Sequence, residues 1–161
     1  MKLIKLGLIS ALVLGTIITL IGLLFPSTVL VSRAVDIEAP KDSIFLRVSR
    51  LSAWSTWVNG MSDSTVTIMS DTEAQLGKTH VKITGVTDST VLSVWTNPDG
   101  QQQTSTIRLI QNGNEGYTVV QWQFVQSIAW YPWERFGSMM NDKIMGTMME
   151  QNLQLLKQSF K

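Results

Sequence analysis

The sequence predicts an α+β fold: a curved antiparallel sheet of about six strands wrapped on one long C-terminal helix, preceded by one N-terminal transmembrane helix. An uncharged apolar run of about 20 residues begins near the N-terminus, stretches of two-residue alternation follow it, and one long helical pattern closes the chain. An antiparallel sheet with one apolar face must bury that face. Because the closing helix is the one element after the apolar run that is long enough to cover it, we expect the sheet to wrap this helix.

The apolar run extends from Leu6 to Phe25 and contains no charged residue. A run of about 20 such residues spans a hydrocarbon core of about 30 Å, which predicts a membrane-spanning helix. Pro26 cannot continue a helix, so the helix is expected to end at Phe25. We therefore expect residues 1–26 to form a signal anchor and residues 27–161 to form a single domain, since this part is too short for two.

The same segment also fits a cleaved signal peptide, because Lys2 and Lys5 supply a positively charged region before the apolar run. The run is longer than the ~7–15 residues usual in such peptides and no A-x-A cleavage site follows it, which favours a retained anchor. After the run the first basic residues are Arg33 and Lys41. This distribution favours a single-pass protein of the cytoplasmic (inner) membrane, with its domain on the outer, periplasmic side.

The composition after the anchor excludes several classes of function. This part contains all twelve acidic residues of the chain and all but two of its thirteen basic residues, with no run of like charge. Nucleic-acid binding normally requires a clustered basic face, so no nucleic-acid partner is expected. The chain has no cysteine, which excludes disulfide bonds and thiol catalysis.

The first element after the anchor is a predicted strand in "TVLVSRAVDIE", followed by an Ala-Pro pair and two short helical stretches at residues 41–51 and 52–58. Arg33 interrupts the apolar face of this strand once. Five further strand-like runs follow at residues 64–70, 78–84, 89–97, 104–111 and 117–126. The turn sequences "NPDG" and "NGNEG" separate the last three runs, which predicts an antiparallel meander.

The closing helix carries an apolar stripe that is expected to face the sheet. Its members are Phe136, Met140, Ile144, Met148 and Leu155. Five of the eight methionines also fall in this helix, and flexible methionine side chains suit either a pocket wall or ordinary core packing. Gly137 and Gly146 each cost about 1 kcal/mol in a helix interior, which close backbone approach to the sheet or a simple kink would explain.

With these elements the sequence resembles the SRPBCC superfamily of START-like, helix-grip domains. The similarity extends to its membrane-anchored bacterial members described as polyketide cyclase/dehydrase and lipid-transport-like. The resemblance rests on "VSRAVDIEAPKDSIFLRVSRLSAWSTW" and on "NDKIMGTMMEQNLQLLKQSF", and it extends over essentially the whole chain. It implies an elongated apolar cavity between the sheet and the C-terminal helix, of the kind that the superfamily uses for lipids, sterols, polyketides and other apolar molecules.

Ten side chains are candidates for lining this cavity and binding the ligand, with plain core packing as the alternative for most of them. They are Trp54, Trp57, Trp95, Leu109, Trp122, Phe124, Phe136, Met140, Ile144 and Met148. A separate aromatic group, Trp130, Tyr131 and Trp133, is expected to rim the cavity, touch the bilayer surface or form a buried corner.

Signals for an enzyme are weak. His80 is the only histidine, and the sequence has no paired carboxylates on one face, no glycine-rich phosphate loop and no metal-ligand spacing. We therefore predict no catalytic residue, metal or cofactor, and expect a membrane-anchored module that binds an apolar small molecule or lipid. Two alternatives remain: a cyclase- or hydrolase-like enzyme that uses Arg108, Gln121 or Tyr117, and a protein-interaction or envelope-stress module whose cavity is vestigial.

Overall fold

The computed structural model describes residues 2–24, 27–111, 113, 116–129 and 131–161, except for the side chains of residues 132, 136, 138, 139 and 141. The helices are α1 (Lys2–Leu24), α2 (Lys41–Val48), α3 (Leu51–Trp54) and α4 (Pro132–Gln158). The strands are β1 (Thr28–Ile37), β2 (Val66–Ser70), β3 (Glu73–Leu76), β4 (Thr79–Val86), β5 (Thr90–Thr96), β6 (Gln102–Ile110) and β7 (Thr118–Ser127).

The strands form one antiparallel sheet in the order β1-β7-β6-β5-β4-β3-β2, and α4 lies mainly against β1. This confirms the predicted fold class, an open antiparallel sheet with a long C-terminal helix and an apolar N-terminal helix. The sheet has seven strands because the four-residue strand Glu73–Leu76 pairs between β2 and β4. So short a strand has too few alternating residues to be recognised from the sequence.

The apolar face of the sheet is covered by α2, α3 and the C-terminal half of α4. Inward-facing residues of β1, β6 and β7 form one core with Ile44, Val48 and Leu51 from the two short helices. From α4 the core receives Met149, Leu153 and Leu156, each almost fully buried. The domain is therefore a single core enclosed between one sheet face and three helices.

The prediction that the stripe on α4 faces the sheet is wrong for three of its members. Met140, Ile144 and Met148 are 57%, 67% and 42% exposed and lie on the side of α4 opposite the core. Leu155 is half-buried and packs against the core, and the side chain of Phe136 lies outside the described residues. Because α4 carries apolar residues on two opposite sides, its periodicity alone does not tell which side meets the sheet.

One close contact between β1 and α4 explains both Arg33 and Gly146. Arg33 points inward from β1, where its Nε donates to Glu150 Oε1 at 2.6 Å and its Nη1 to Asp142 Oδ1 at 3.4 Å. A Cβ atom at position 146 would lie 2.6 Å from Arg33 Cζ and still closer to its Nη2. Glycine at 146 therefore makes the room in which this guanidinium crosses to the carboxylates of α4.

The helix α1 is long and apolar enough to cross a membrane, a property that a signal sequence near the N-terminus shares. Its last turn contacts the start of α4: Arg135, itself buried, donates from Nη1 to the backbone oxygens of Gly22 at 3.2 Å and Leu23 at 3.4 Å. A cation at a helix C-terminus also complements the helix dipole. Phe25 and Pro26, where the helix was expected to end, lie outside the described residues.

Candidate functional site

The candidate site is the space between the inward face of the sheet and the helices, where strand pairing arranges side chains in rows. Val29 pairs with Gln126, Gln126 with Gln103, and Gln103 with Trp95, so these four residues form one row across β1, β7, β6 and β5. Val29 is the second residue of β1, and β1 follows α1 directly. This row, here called the open row, is therefore the inward-facing row nearest the end of α1.

Exposure falls sharply behind the open row. All four of its residues are partly exposed, whereas the next row, Val31, Phe124, Ser105 and Ser93, is fully buried. Further along the same four strands, the described inward-facing residues are buried except for Arg33, which is half-buried. On these four strands the inward face is thus closed except at the open row and at the contact of Arg33 with α4.

The closed part is filled by an indole cluster, which consists of Trp54, Trp57, Trp95 and Trp122 together with Phe124. Ring centroids lie 5.6 Å apart for Trp54 and Trp57 and 5.5 Å apart for Trp57 and Trp122. Trp54 stacks on Trp95 at 6.1 Å, and Trp95 meets Phe124 edge-on at 5.4 Å. Trp95 is the member that reaches the open row, so one indole links the buried cluster to the exposed end.

The polar atoms of the cluster are satisfied locally. Trp122 Nε1 donates to Ser105 Oγ at 2.8 Å, and Trp95 Nε1 donates to Ser93 Oγ at 3.2 Å. Trp54 Nε1 donates to the backbone oxygen of Val48 at 2.9 Å. Among the described residues, every buried side-chain nitrogen and oxygen has a hydrogen-bond partner. The indole N–H groups named here therefore need no acceptor from a ligand, and the cluster forms a fixed wall of the site.

Side-chain amides lie beside Trp95 at the open row. Gln103 Nε2 donates to Gln126 Oε1 at 3.3 Å, and Gln126 Nε2 donates to Gln101 Oε1 at 3.1 Å. Amides carry both donors and acceptors and no charge. The open row thus combines an indole and a valine with neutral hydrogen-bonding groups, which suits a molecule that has an apolar part and an uncharged or zwitterionic polar part.

The structure brings six of the ten predicted ligand-binding residues together on the inward side: Trp54, Trp57, Trp95, Leu109, Trp122 and Phe124. Leu109 lies in the core several rows away from the open row. Met140, Ile144 and Met148 lie outside, and the Phe136 side chain is not described. The residues predicted from the sequence do not include Val29, Gln103 and Gln126. Val29 and Gln126 fall on the inward face of predicted strands, whereas Gln103 precedes the predicted strand at residues 104–111, and only the strand pairing shows that all three share a row with Trp95.

The groups considered for catalysis do not converge on this site. Arg33 is the one ionisable side chain on the described inward faces of β1, β5, β6 and β7, and its hydrogen bond to Glu150, with Asp142 nearby, raises its pKa above its already high usual value. Arg108 and Tyr117 are exposed, and Gln121 points outward to Ser32 Oγ at 3.3 Å. His80 Nε2 lies 3.0 Å from Glu73 Oε1, on the other face of the sheet from Val81. None of these described groups lies at the open row.

The architecture is shared with solved structures, although no protein-family model and no curated protein matches the sequence. A protein from Nitrosospira multiformis superposes with a TM-score of 0.64 at 12% identity, over 83% of this chain and 97% of its own. A START superfamily protein from Mycobacterium smegmatis superposes with a TM-score of 0.62 at 16% identity, over 81% of this chain and 96% of its own. The fold is START-like.

A third structural match is DynU16, a protein of the dynemicin biosynthetic locus. It superposes with a TM-score of 0.58 at 13% identity, over 80% of this chain and 46% of its own. At such identities a shared fold does not carry over a ligand or an activity. The open row and the indole cluster are therefore the features of this START-like domain that bear on its function.

Proposed function

We propose that the chain is a START-like domain, tethered to the outer face of the cytoplasmic membrane by α1, that binds a lipid or another apolar small molecule non-covalently at the open row. The observation that carries this proposal is the position of the opening. On β1, β5, β6 and β7 the inward-facing residues beyond the open row are buried, apart from Arg33 at the α4 contact, and the open row is the one nearest the end of α1.

The distance between the tether and the open row supports exchange with the bilayer. Val29 follows Leu24 by five residues, so the row lies within about 18 Å of the end of α1 even if the chain is fully extended. Moving an apolar molecule through water costs about 25 cal/mol for each Å² of exposed apolar surface. A binding site next to the membrane avoids most of that cost.

The indole cluster limits how much of a ligand the site accommodates. Trp54, Trp57 and Trp122 occupy the interior behind the open row and are almost fully buried. The ligand therefore contacts Trp95 and Val29 with one apolar end, while Gln103 and Gln126 bond its polar part. This geometry suits one chain or ring of a lipid better than a large sterol enclosed on all sides.

A second candidate function is a protein-interaction module with a vestigial cavity, and the same cluster favours it. Four indoles and one phenylalanine ring fill the space that a deep ligand cavity would occupy. Under this function the open row would be a shallow depression in a surface that contacts another protein. The two candidates differ in the molecule that contacts Gln103: a lipid or other apolar small molecule in the first, and another protein in the second.

Photo-crosslinking from a single side chain separates these candidates. A photoreactive amino acid replaces Gln103 in the full-length chain, and in a matched control it replaces Thr104, the exposed neighbour on the outer face of β6. After illumination in intact membranes, we expect a lipid adduct at position 103 and none at 104, detected by mass spectrometry. A protein adduct at 103 supports the interaction module, and no adduct at either position contradicts both.

A further inference from the structure

A stripe of large apolar residues lies exposed on the outer side of α4. Trp133 is 68% exposed, and Met140, Ile144 and Met148 continue the stripe on the side of the helix opposite Met149 and Leu153. The ends of the stripe, Trp133 and Met148, lie about 22 Å apart along the helix at about 1.5 Å per residue. Apolar surface of this extent on one element usually marks an interface.

The spacing within this outer stripe is that of a helix-pairing seam. Trp133, Gly137, Met140 and Ile144 follow one another at steps of four, three and four, the repeat with which two helices interlock. The same seam continues through Thr147 and Gln151, which help to line a surface hollow of about 640 Å³. None of these seam positions is charged, so two identical copies of the face meet without repulsion between like charges.

The helix α1 presents a matching surface. Gly7, Ala11 and Gly15 are spaced four residues apart, and a Cβ atom added at either glycine meets nothing within 4 Å. At about 100° per residue, these three residues lie on the same side of α1 as Gly22, which is buried where α4 begins. The small-residue face of α1 therefore looks toward the side on which α4 stands, and such faces allow membrane helices to approach closely.

The arrangement proposed below requires α4 to stand along the membrane normal, which carries the outer stripe away from the lipid surface. Arg135 binds the last turn of α1, and from there α4 runs beside β1, reaching Arg33 at Gly146. Met148 is 13 residues beyond Arg135, or about 20 Å along the helix. With α4 along the membrane normal, this length exceeds the headgroup layer of one leaflet, which is about 5–8 Å thick, and the far end of the stripe lies beyond the bilayer.

We propose that two copies of the chain associate side by side, through the outer stripe of α4 and the small-residue face of α1, about one two-fold axis along the membrane normal. This proposal rests on the proposed function, in which α1 is a membrane anchor. Two copies anchored in one membrane have their α1 helices parallel, so their α4 helices must pair in parallel as well. Each seam residue then lies opposite its own copy, as in other two-fold dimers.

Cysteine crosslinking tests this arrangement directly, because the natural chain contains no cysteine. In full-length chain in native membranes, mild oxidation should yield disulfide-linked dimers for Ile144→Cys and Met140→Cys. Lys143→Cys, exposed but about 100° around the helix from Ile144, should crosslink far less. In α1, Ala11→Cys should crosslink, and Val13→Cys, on the opposite side, should not.

The dimer is overturned if Ile144→Cys and Met140→Cys crosslink no more than Lys143→Cys. Monomers whose cysteine is shielded from a water-soluble maleimide would indicate lipid on the stripe, and a heavier mixed species would indicate another protein; each result contradicts a second copy. N-terminal sequencing of the same sample reports whether α1 is retained, and the lipid adduct at position 103 reports on ligand binding. Loss of crosslinking with both of these intact therefore counts against the dimer alone.

Discussion

The contact between Arg33 and Gly146 shows how one charged residue is accommodated on the apolar face of a strand. Arg33 interrupts the alternation of the first strand in the sequence, and the structure supplies the reason: its guanidinium reaches Glu150 and Asp142 on α4. The space for it exists because residue 146 has no side chain. The sequence thus indicates both unusual residues, but only the packing of α4 on β1 shows that they belong together.

This pairing predicts opposite effects for two glycine substitutions in one helix. Gly137→Ala should stabilise the domain by about 0.5–1 kcal/mol, because alanine favours the helix and a Cβ there meets nothing within 4 Å. Gly146→Ala should lose this gain or destabilise, since the new Cβ displaces the guanidinium of Arg33 from its carboxylates. Urea unfolding of the full-length chain in detergent measures both changes.

The Arg33→Ala background provides the control. Without the guanidinium, Gly146→Ala should become as favourable as Gly137→Ala. If Gly146→Ala is stabilising in the natural chain as well, the close contact does not govern this position.

At the scale of single elements, α4 shows what periodicity does and does not determine. One long closing helix is predicted from the sequence and present in the structure. This helix has two apolar sides, and the side predicted to face the sheet, with Met140, Ile144 and Met148, is the exposed one. The orientation of α4 is set by tertiary contacts, namely those of one side with Arg33 and with the core. The strand β3 was not predicted for a similar reason: a strand of four residues is defined by its pairing with neighbouring strands rather than by its own pattern.

The two sides of α4 should respond differently to truncation. Leu153→Ala should cost about 2–5 kcal/mol of unfolding free energy, because it leaves a cavity in the core. Ile144→Ala should change the stability of the folded monomer by about 0.5 kcal/mol or less, as is usual for exposed positions. Denaturant unfolding at a concentration where the detergent-solubilised chain is monomeric compares them. Equal costs would mean that α4 is rotated from the orientation described.

At the scale of the whole molecule, the fold class follows from patterns that local sequence contains, whereas the site does not. An apolar run, alternating strands and a closing helix are enough for a START-like architecture. From the sequence, Trp54, Trp57 and Trp122 are ligand-binding candidates with core packing as the alternative, and in the structure all three are almost fully buried. The open row is different, because Val29, Gln126, Gln103 and Trp95 come from four strands and meet only through their pairing.

Native mass spectrometry of the intact chain extracted from membranes shows whether this START-like domain holds an apolar molecule at the open row. The natural chain should carry a bound molecule as a discrete mass increment. Val29→Trp should lose it by filling the open row, while Leu30→Trp, a matched change on the exposed outer face of β1, should keep it. Circular dichroism checks that both variants are folded. A natural chain without any increment, or an increment that persists in Val29→Trp, would contradict the account.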